Sequence, residues 1–99
     1  MATEFSLEIK TPEKLIFSGD IESLIVEHPS GKEGYLAFHE PVLRELAPGM
    51  VQFSGERVAG KIPSDNPSIL KTNSPKTFEI EIQGGFLSFE GNKAVVFIR

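Results

Sequence analysis

The chain contains no cysteine, no tryptophan and a single tyrosine. Without cysteine there is no disulfide, no thiolate nucleophile and no thiolate metal site. That composition is compatible with a reducing compartment. No cluster of lysine and arginine stands out, and 14 acidic residues outweigh 10 basic ones for a formal charge of −4. The electrostatic footprint of a nucleic-acid binder is therefore missing. No apolar run approaches the ~20 residues of a membrane-spanning helix. The start, Met1-Ala2-Thr3-Glu4, resembles neither a secretory signal nor an arginine-rich transit peptide. No stretch has the length and 3.6-residue period of an amphipathic helix, and no internal repeat is evident. The expectation is a soluble, cytoplasmic chain that meets a membrane only through a partner.

What is present is a strand pattern. Ninety-nine residues suit one domain, and a chain of this size buries roughly 65% of its unfolded surface without staples. Phenylalanine, with eight copies, carries most of the aromatic mass. Phe5, Leu7 and Ile9 alternate with Ser6, Glu8 and Lys10, the period of a half-buried strand. Thr11-Pro12-Glu13 interrupts it, because proline has no N–H for a ladder. Leu15-Ile16-Phe17 forms a short run stopped by Ser18-Gly19-Asp20, and Ile21 to Glu27 makes a third strand. The apolar centre Leu24-Ile25-Val26 predicts burial on both faces. His28 to Gly34 reads as a polar turn, and Tyr35 to Phe38 as a short strand or bend. Pro41 to Leu46 has room for one helical turn. Strands resume at Met50 to Phe53, with Val51 and Phe53 on one side, and at Phe78-Ile80-Ile82, Phe86 to Glu90 and Ala94 to Ile98. The last three segments read as a closing meander.

Many short strands between turns predict an all-β fold, a flattened β-sandwich or barrel of about ten strands. A single domain spans residues 1–99. Residues 54–76 stand apart, with two glycines, three prolines and four serines in a long loop or hairpin excursion. Val58-Ala59 and Ile69-Leu70 are its candidate edge strands.

Nothing in this pattern assembles an active site. His28 and His39 have no third nitrogen or sulfur ligand for zinc. Gly31-Lys32 and Gly60-Lys61 lack the spacing of a phosphate loop, and no serine sits in a nucleophile elbow. No catalytic residue, cofactor or metal is expected. The glutamates that alternate with apolar residues are those of a solvated sheet face. For His39, local chemistry predicts ring nitrogens bonded to backbone carbonyls that hold a bend.

Two tracts carry a likeness. Thr11-Pro12-Glu13-Lys14-Leu15-Ile16-Phe17-Ser18-Gly19 opens the chain. Gly84-Gly85-Phe86-Leu87-Ser88-Phe89, with Asn92, closes it. With the bend at His39-Glu40-Pro41-Val42-Leu43 and the Pro48-Gly49 turn between them, the ordered set resembles the N-terminal β-sandwich domain of the F-type ATP synthase epsilon subunit. The resemblance implies a non-catalytic rotor subunit that joins the gamma subunit to the ring of c subunits. It implies a peripheral position on the cytoplasmic face of a bacterial inner membrane, touching that membrane only through the c ring. It places the c-ring contact on Glu27, His28, Ser30, Gly31, Lys32, Glu33 and Gly34, and the gamma contact on Thr11, His39 and Arg44. For each of these residues an ordinary solvated turn is the competing reading. The chain departs from the family at Ala37-Phe38, where Pro-Gly is usual, at Lys32, where an acid is frequent, and in its longer 54–76 excursion. It stops at Arg99, so the family's C-terminal helical pair, and with it ATP binding and a helical brake on hydrolysis, is not expected. The alternative is a stand-alone β-sandwich module that binds proteins outside any rotor.

Overall fold

In a computed structural model of the chain, residues 3–58, 69–72 and 74–99 are described. Expectations for Ala59 and Gly60-Lys61, and for the rest of 59–68, lie outside the described residues. Among the described residues ten strands follow in order: β1 (Phe5–Lys10), β2 (Leu15–Ile21), β3 (Ser23–His28), β4 (Gly31–Tyr35) and β5 (Val42–Leu46). Then come β6 (Gly49–Ser54), β7 (Ile69–Lys71), β8 (Thr77–Ile82), β9 (Gly85–Glu90) and β10 (Lys93–Ile98). They form two five-stranded sheets, ordered β2-β1-β10-β9-β5 and β4-β3-β6-β8-β7. The all-β sandwich expectation holds, and the described residues contain no helix.

Alternation explains the core. Phe5, Leu7 and Ile9 on β1 are each no more than 2% exposed, as are Val51 and Phe53 on β6. Each such side chain contributes roughly 1.5–3 kcal/mol on leaving water. The two sheets meet through aromatic pairs. Phe17 of the first sheet lies 4.9 Å, centroid to centroid, from Phe53 of the second. Phe89 of the first stacks 6.1 Å from Tyr35 of the second. The first and last strands join by the parallel pairing of β1 with β10, from Ser6 opposite Lys93 to Lys10 opposite Phe97.

The structure corrects the sequence reading in several places. Ser18-Gly19-Asp20 does not stop β2; these residues pair with Glu8, Leu7 and Ser6 of β1, because a ladder uses backbone groups that turn-forming residues also possess. The break comes at Glu22, and β3 begins at Ser23. Ile25 is exposed at 38% while Leu24 and Val26 are fully buried, so β3 is covered on one face only. Pro41 to Leu46 contains no helical turn: β5 pairs along β9 from Val42–Phe89 to Leu46–Gly85, and this edge pairing overrides local propensity. The supposed His28–Gly34 turn is mostly strand, since β4 starts at Gly31, and the chain bends only after Tyr35. The final three strands are not one meander. β8 pairs with β6 and β7 in the second sheet, while β9 and β10 belong to the first. The chain changes sheets at Gly84-Gly85, whose φ angles are +135° and +155°.

Candidate functional site

The β3–β4 hairpin pairs from Leu24–Tyr35 to His28–Gly31, which leaves Pro29-Ser30 as its tip. Proline presets φ at the first turn position, and Gly31 closes the turn at φ +132°. Pro29, Ser30, Gly31, Lys32 and Gly34 are all exposed. A groove of about 420 Å³ runs between this tip and Arg44-Glu45 of β5.

Beneath the tip, side chains of the two sheets interlock. The His28 side chain is only 10% exposed. Its Nδ1 lies 3.2 Å from the Glu45 carbonyl oxygen on β5. Its Nε2 lies 2.7 Å from Glu33 Oε1 and 3.2 Å from the Tyr35 hydroxyl. The Tyr35 hydroxyl donates to the same Glu33 oxygen at 2.6 Å, and Arg44 Nε stands 3.8 Å from it. The Tyr35 hydrogen bond, followed by the hydrogen bond and charge of His28 and the charge of Arg44, holds the Glu33 carboxyl below the usual carboxylate range against the opposing effect of burial. Burial, then the Glu33 carboxylate, pushes the Tyr35 phenol up.

Glu27 pairs with Lys32 one rung below the tip, but its polar groups are turned to the β5–β6 turn. Its carboxylate accepts the Met50 N–H at 3.0 Å and its carbonyl accepts the Ala47 N–H at 2.8 Å. A side chain on Gly49 would run into that carboxylate. Glu27 therefore braces the turn from β5 to β6.

His39 lies in the bend that follows β4. Its Nδ1 faces the Glu40 carbonyl at 2.7 Å; a carbonyl only accepts, so Nδ1 carries the hydrogen. Of the ring nitrogens expected to bond backbone carbonyls there, Nδ1 does so. The ring packs 4.6 Å from Tyr35 and 5.6 Å from Phe89. Phe38, 76% exposed at φ +65°, donates its N–H to the Asn92 side chain at 2.6 Å. Asn92 also donates to the Glu4 carbonyl at 3.0 Å. This side chain thus ties the bend to the start of β1 and to the β9–β10 turn.

The structure brings His28, Glu33 and Arg44 together, although Arg44 was grouped with the gamma contact. It joins His39 to them through Tyr35. Thr11 is not among them. The bend containing His39 is held at the start of β10 through Asn92, whereas Thr11 borders Phe97-Ile98 at the other end of that strand. Thr11 Oγ1 accepts the N–H groups of Glu13 and Lys14 at 3.2 and 3.1 Å and closes its own turn. Tyr35 is the residue that sequence reasoning missed. Its i, i+2 relation to Glu33 puts both on one face of a strand, but β4 lacks the apolar alternation that would have revealed the strand.

This arrangement offers an exposed polar tip on a fixed base. Among the described residues no group of three or more His, Asp or Glu side chains is placed to hold a metal ion. The site suits docking of a polar surface.

The family model for the ATP synthase delta/epsilon chain β-sandwich domain matches residues 4–62, which span β1 to β6 and include Thr11, the β3–β4 hairpin, His39 and Arg44. The chain belongs to this family. That membership agrees with the epsilon-subunit resemblance read from the sequence. The ATP synthase epsilon chain of Chlorobaculum tepidum is 37% identical over 92 residues, covering 93% of this chain and 85% of that one. The epsilon chain of Carboxydothermus hydrogenoformans is 29% identical over 96 residues, but the match covers only 58% of its length. In fold, the chain is similar to one in the Euglena gracilis mitochondrial ATP synthase assembly of OSCP, F1 and c-ring. That match has a TM-score of 0.73 at 19% identity over 99% of this chain and 51% of the other.

Proposed function

We propose that this delta/epsilon-family chain clamps the gamma subunit to the c ring, so that rotation of the ring turns gamma, and that it has no catalytic role of its own. The β3–β4 hairpin faces the polar loops of the c ring, and the bend around His39 faces gamma. The chain works peripherally on the cytoplasmic face of a bacterial inner membrane, reaches that membrane only through the c ring, and binds no ATP. The observation that carries this reading is the exposed Pro29-Ser30-Gly31-Lys32 tip on a base fixed by His28, Glu33 and Tyr35. A stiff two-sheet sandwich suits torque transmission because close-packed interiors deform little. Lys32 at the rim governs association rate and salt dependence more than final affinity.

Cross-linking tests the orientation, and a chain without cysteine makes it clean. Ser30→Cys should form a disulfide with a c ring carrying a cysteine in its polar loop when the assembled enzyme is oxidised. Ser18→Cys, exposed on the outer face of the first sheet, should not. Equal cross-linking from both positions, or none from Ser30→Cys in an enzyme that pumps protons normally, would refute the proposed docking face.

A further inference from the structure

Both ring nitrogens of His28 face hydrogen-bond acceptors. Nδ1 faces the Glu45 carbonyl and Nε2 faces the Glu33 carboxylate. Neither of those oxygens can donate, and only the imidazolium carries a hydrogen on both nitrogens. The 2.7 Å contact to Glu33 has the length of a charge-assisted bond. We infer that His28 is a proton-responsive positioning residue: protonated, it clasps the β3–β4 hairpin to β5 through Glu33, and on losing its proton it releases Glu33. The clasp adds regulation to the docking reading given above, and its consequence for c-ring binding rests on that reading.

The chemistry of release follows from the contacts. If Nδ1–H stays on the Glu45 carbonyl, the Nε2 lone pair confronts a carboxylate oxygen across 2.7 Å. The Tyr35 hydroxyl, 3.2 Å from Nε2, can turn its hydrogen from Glu33 to the ring. Glu33 then loses two hydrogen bonds and keeps only Arg44 at 3.8 Å. Among the described residues no other charged group replaces them. On β3, the Glu27 carboxylate is committed to Met50 N–H. On β4, Lys32 is exposed at the tip. On β5, the Glu45 carboxylate is turned to Arg99 at 3.4 Å. In the bend, His39 touches this cluster through the Tyr35 ring, and its Nδ1 is bonded to the Glu40 carbonyl. The Glu33 carboxyl is held low in the clasped state, first by Tyr35; with that bond gone, an ordinary carboxylate range of about pH 4.3 still leaves it ionised across about pH 5 to 8, where imidazole side chains change charge. A hairpin already fixed in place loses less freedom on docking. Affinity for the c ring should therefore fall as the pH rises, by about five- to tenfold, the scale of a modest coupling between two sites.

Side-chain 15N NMR of the chain reads both His28 nitrogens between about pH 5 and pH 8.5, and binding of the same chain to purified c ring is measured over that range. His28 should pass from two ring protons to one, with the Glu33 carboxylate and Tyr35 ring signals moving at the same midpoint as the affinity falls. His28→Gln keeps an amide donor but cannot titrate, so its binding should lose the pH dependence that His39→Gln retains. A His28 ring with a single proton at the acid end, Glu33 signals that ignore the His28 transition, or the same pH profile in wild type and His28→Gln would each overturn the clasp. If the ring and Glu33 signals move together but no c ring binds at any pH, the clasp stands and the docking reading falls.

Discussion

Gly85→Ala should come close to unfolding this domain, although the change adds one methyl group. Gly85 is the first residue of β9, where the chain has just passed from the second sheet to the first, and it sits at φ +155°. A Cβ there would land on the Phe97 carbonyl oxygen, 3.0 Å from the carbonyl carbon and 3.3 Å from Ile98 Cα. All three are backbone atoms of the paired strand β10, so no rotamer change relieves the overlap. Holding a non-glycine residue in such a conformation costs roughly 1–3 kcal/mol. Forcing an extra methyl into a packed ladder costs a further ~1–3 kcal/mol. The sum, about 4 kcal/mol, is a large share of the ~5–15 kcal/mol that holds a typical domain together. Gly91→Ala is the control. Gly91 also has positive φ, +60°, but nothing lies within 4 Å of the added carbon, so its cost is the left-handed backbone alone, roughly 1–2 kcal/mol. With a urea slope of roughly 1–1.5 kcal/mol per M for so small a chain, Gly85→Ala should lower the unfolding midpoint by about 3 M and Gly91→Ala by about 1 M. The reasoning fails if the two variants have the same midpoint, or if Gly85→Ala unfolds within about 0.5 M of wild type.

Two further outcomes follow from the site. Asn92→Gly preserves the positive φ of 57° but removes the bonds to Phe38 N–H and the Glu4 carbonyl; stability should fall by about 1–2 kcal/mol, and native-state hydrogen exchange at the Phe38 amide should quicken relative to that of the β10 core. Because the Glu33 carboxyl is held below its unfolded value, its contribution is fully present above the ordinary carboxylate range, about pH 4.3, and is lost as the pH falls through the folded value. Tyr35→Phe removes the largest cause of that depression and should raise the Glu33 titration midpoint in a carboxyl 13C NMR titration; an unchanged midpoint would contradict the assignment of Tyr35 as its principal donor.

Much of the sandwich was legible in the chain because alternation reports burial directly. Phe5-Leu7-Ile9 and Phe78-Ile80-Ile82 were readable as one-sided strands, and both alternate with exposed or half-buried neighbours in the structure. The turn between β9 and β10 is Gly91-Asn92. Its two central residues both take positive φ, as a two-residue hairpin between twisted strands requires. The strands that escaped notice, β4 and β5, carry few inward apolar residues and owe their conformation to a paired neighbour. Gly31-Lys32-Glu33-Gly34 is extended because β3 lies alongside it, and Leu43-Arg44-Glu45 because β9 does. The site was legible only as a set of candidate positions. Glu33, His28 and Arg44 were named, but nothing in their spacing tells that one Glu33 carboxylate oxygen gathers His28, Arg44 and Tyr35.

By itself the sequence determined the fold class, the inward faces of most strands, the tight turns and the absence of cysteine chemistry, since each depends on residue type and near-neighbour spacing. Its ordered motifs also pointed to the family. Tertiary structure alone decided which sheet each strand joins, that β8 and β9 part company at Gly84-Gly85, that Glu27 braces a turn, and that Thr11 lies away from His39. Those outcomes depend on contacts between residues distant in sequence. The clearest case is His28: on the chain it is a histidine beside a proline, and it becomes a clasp only when folding sets Glu33 against one ring nitrogen and the Glu45 carbonyl of the other sheet against the second.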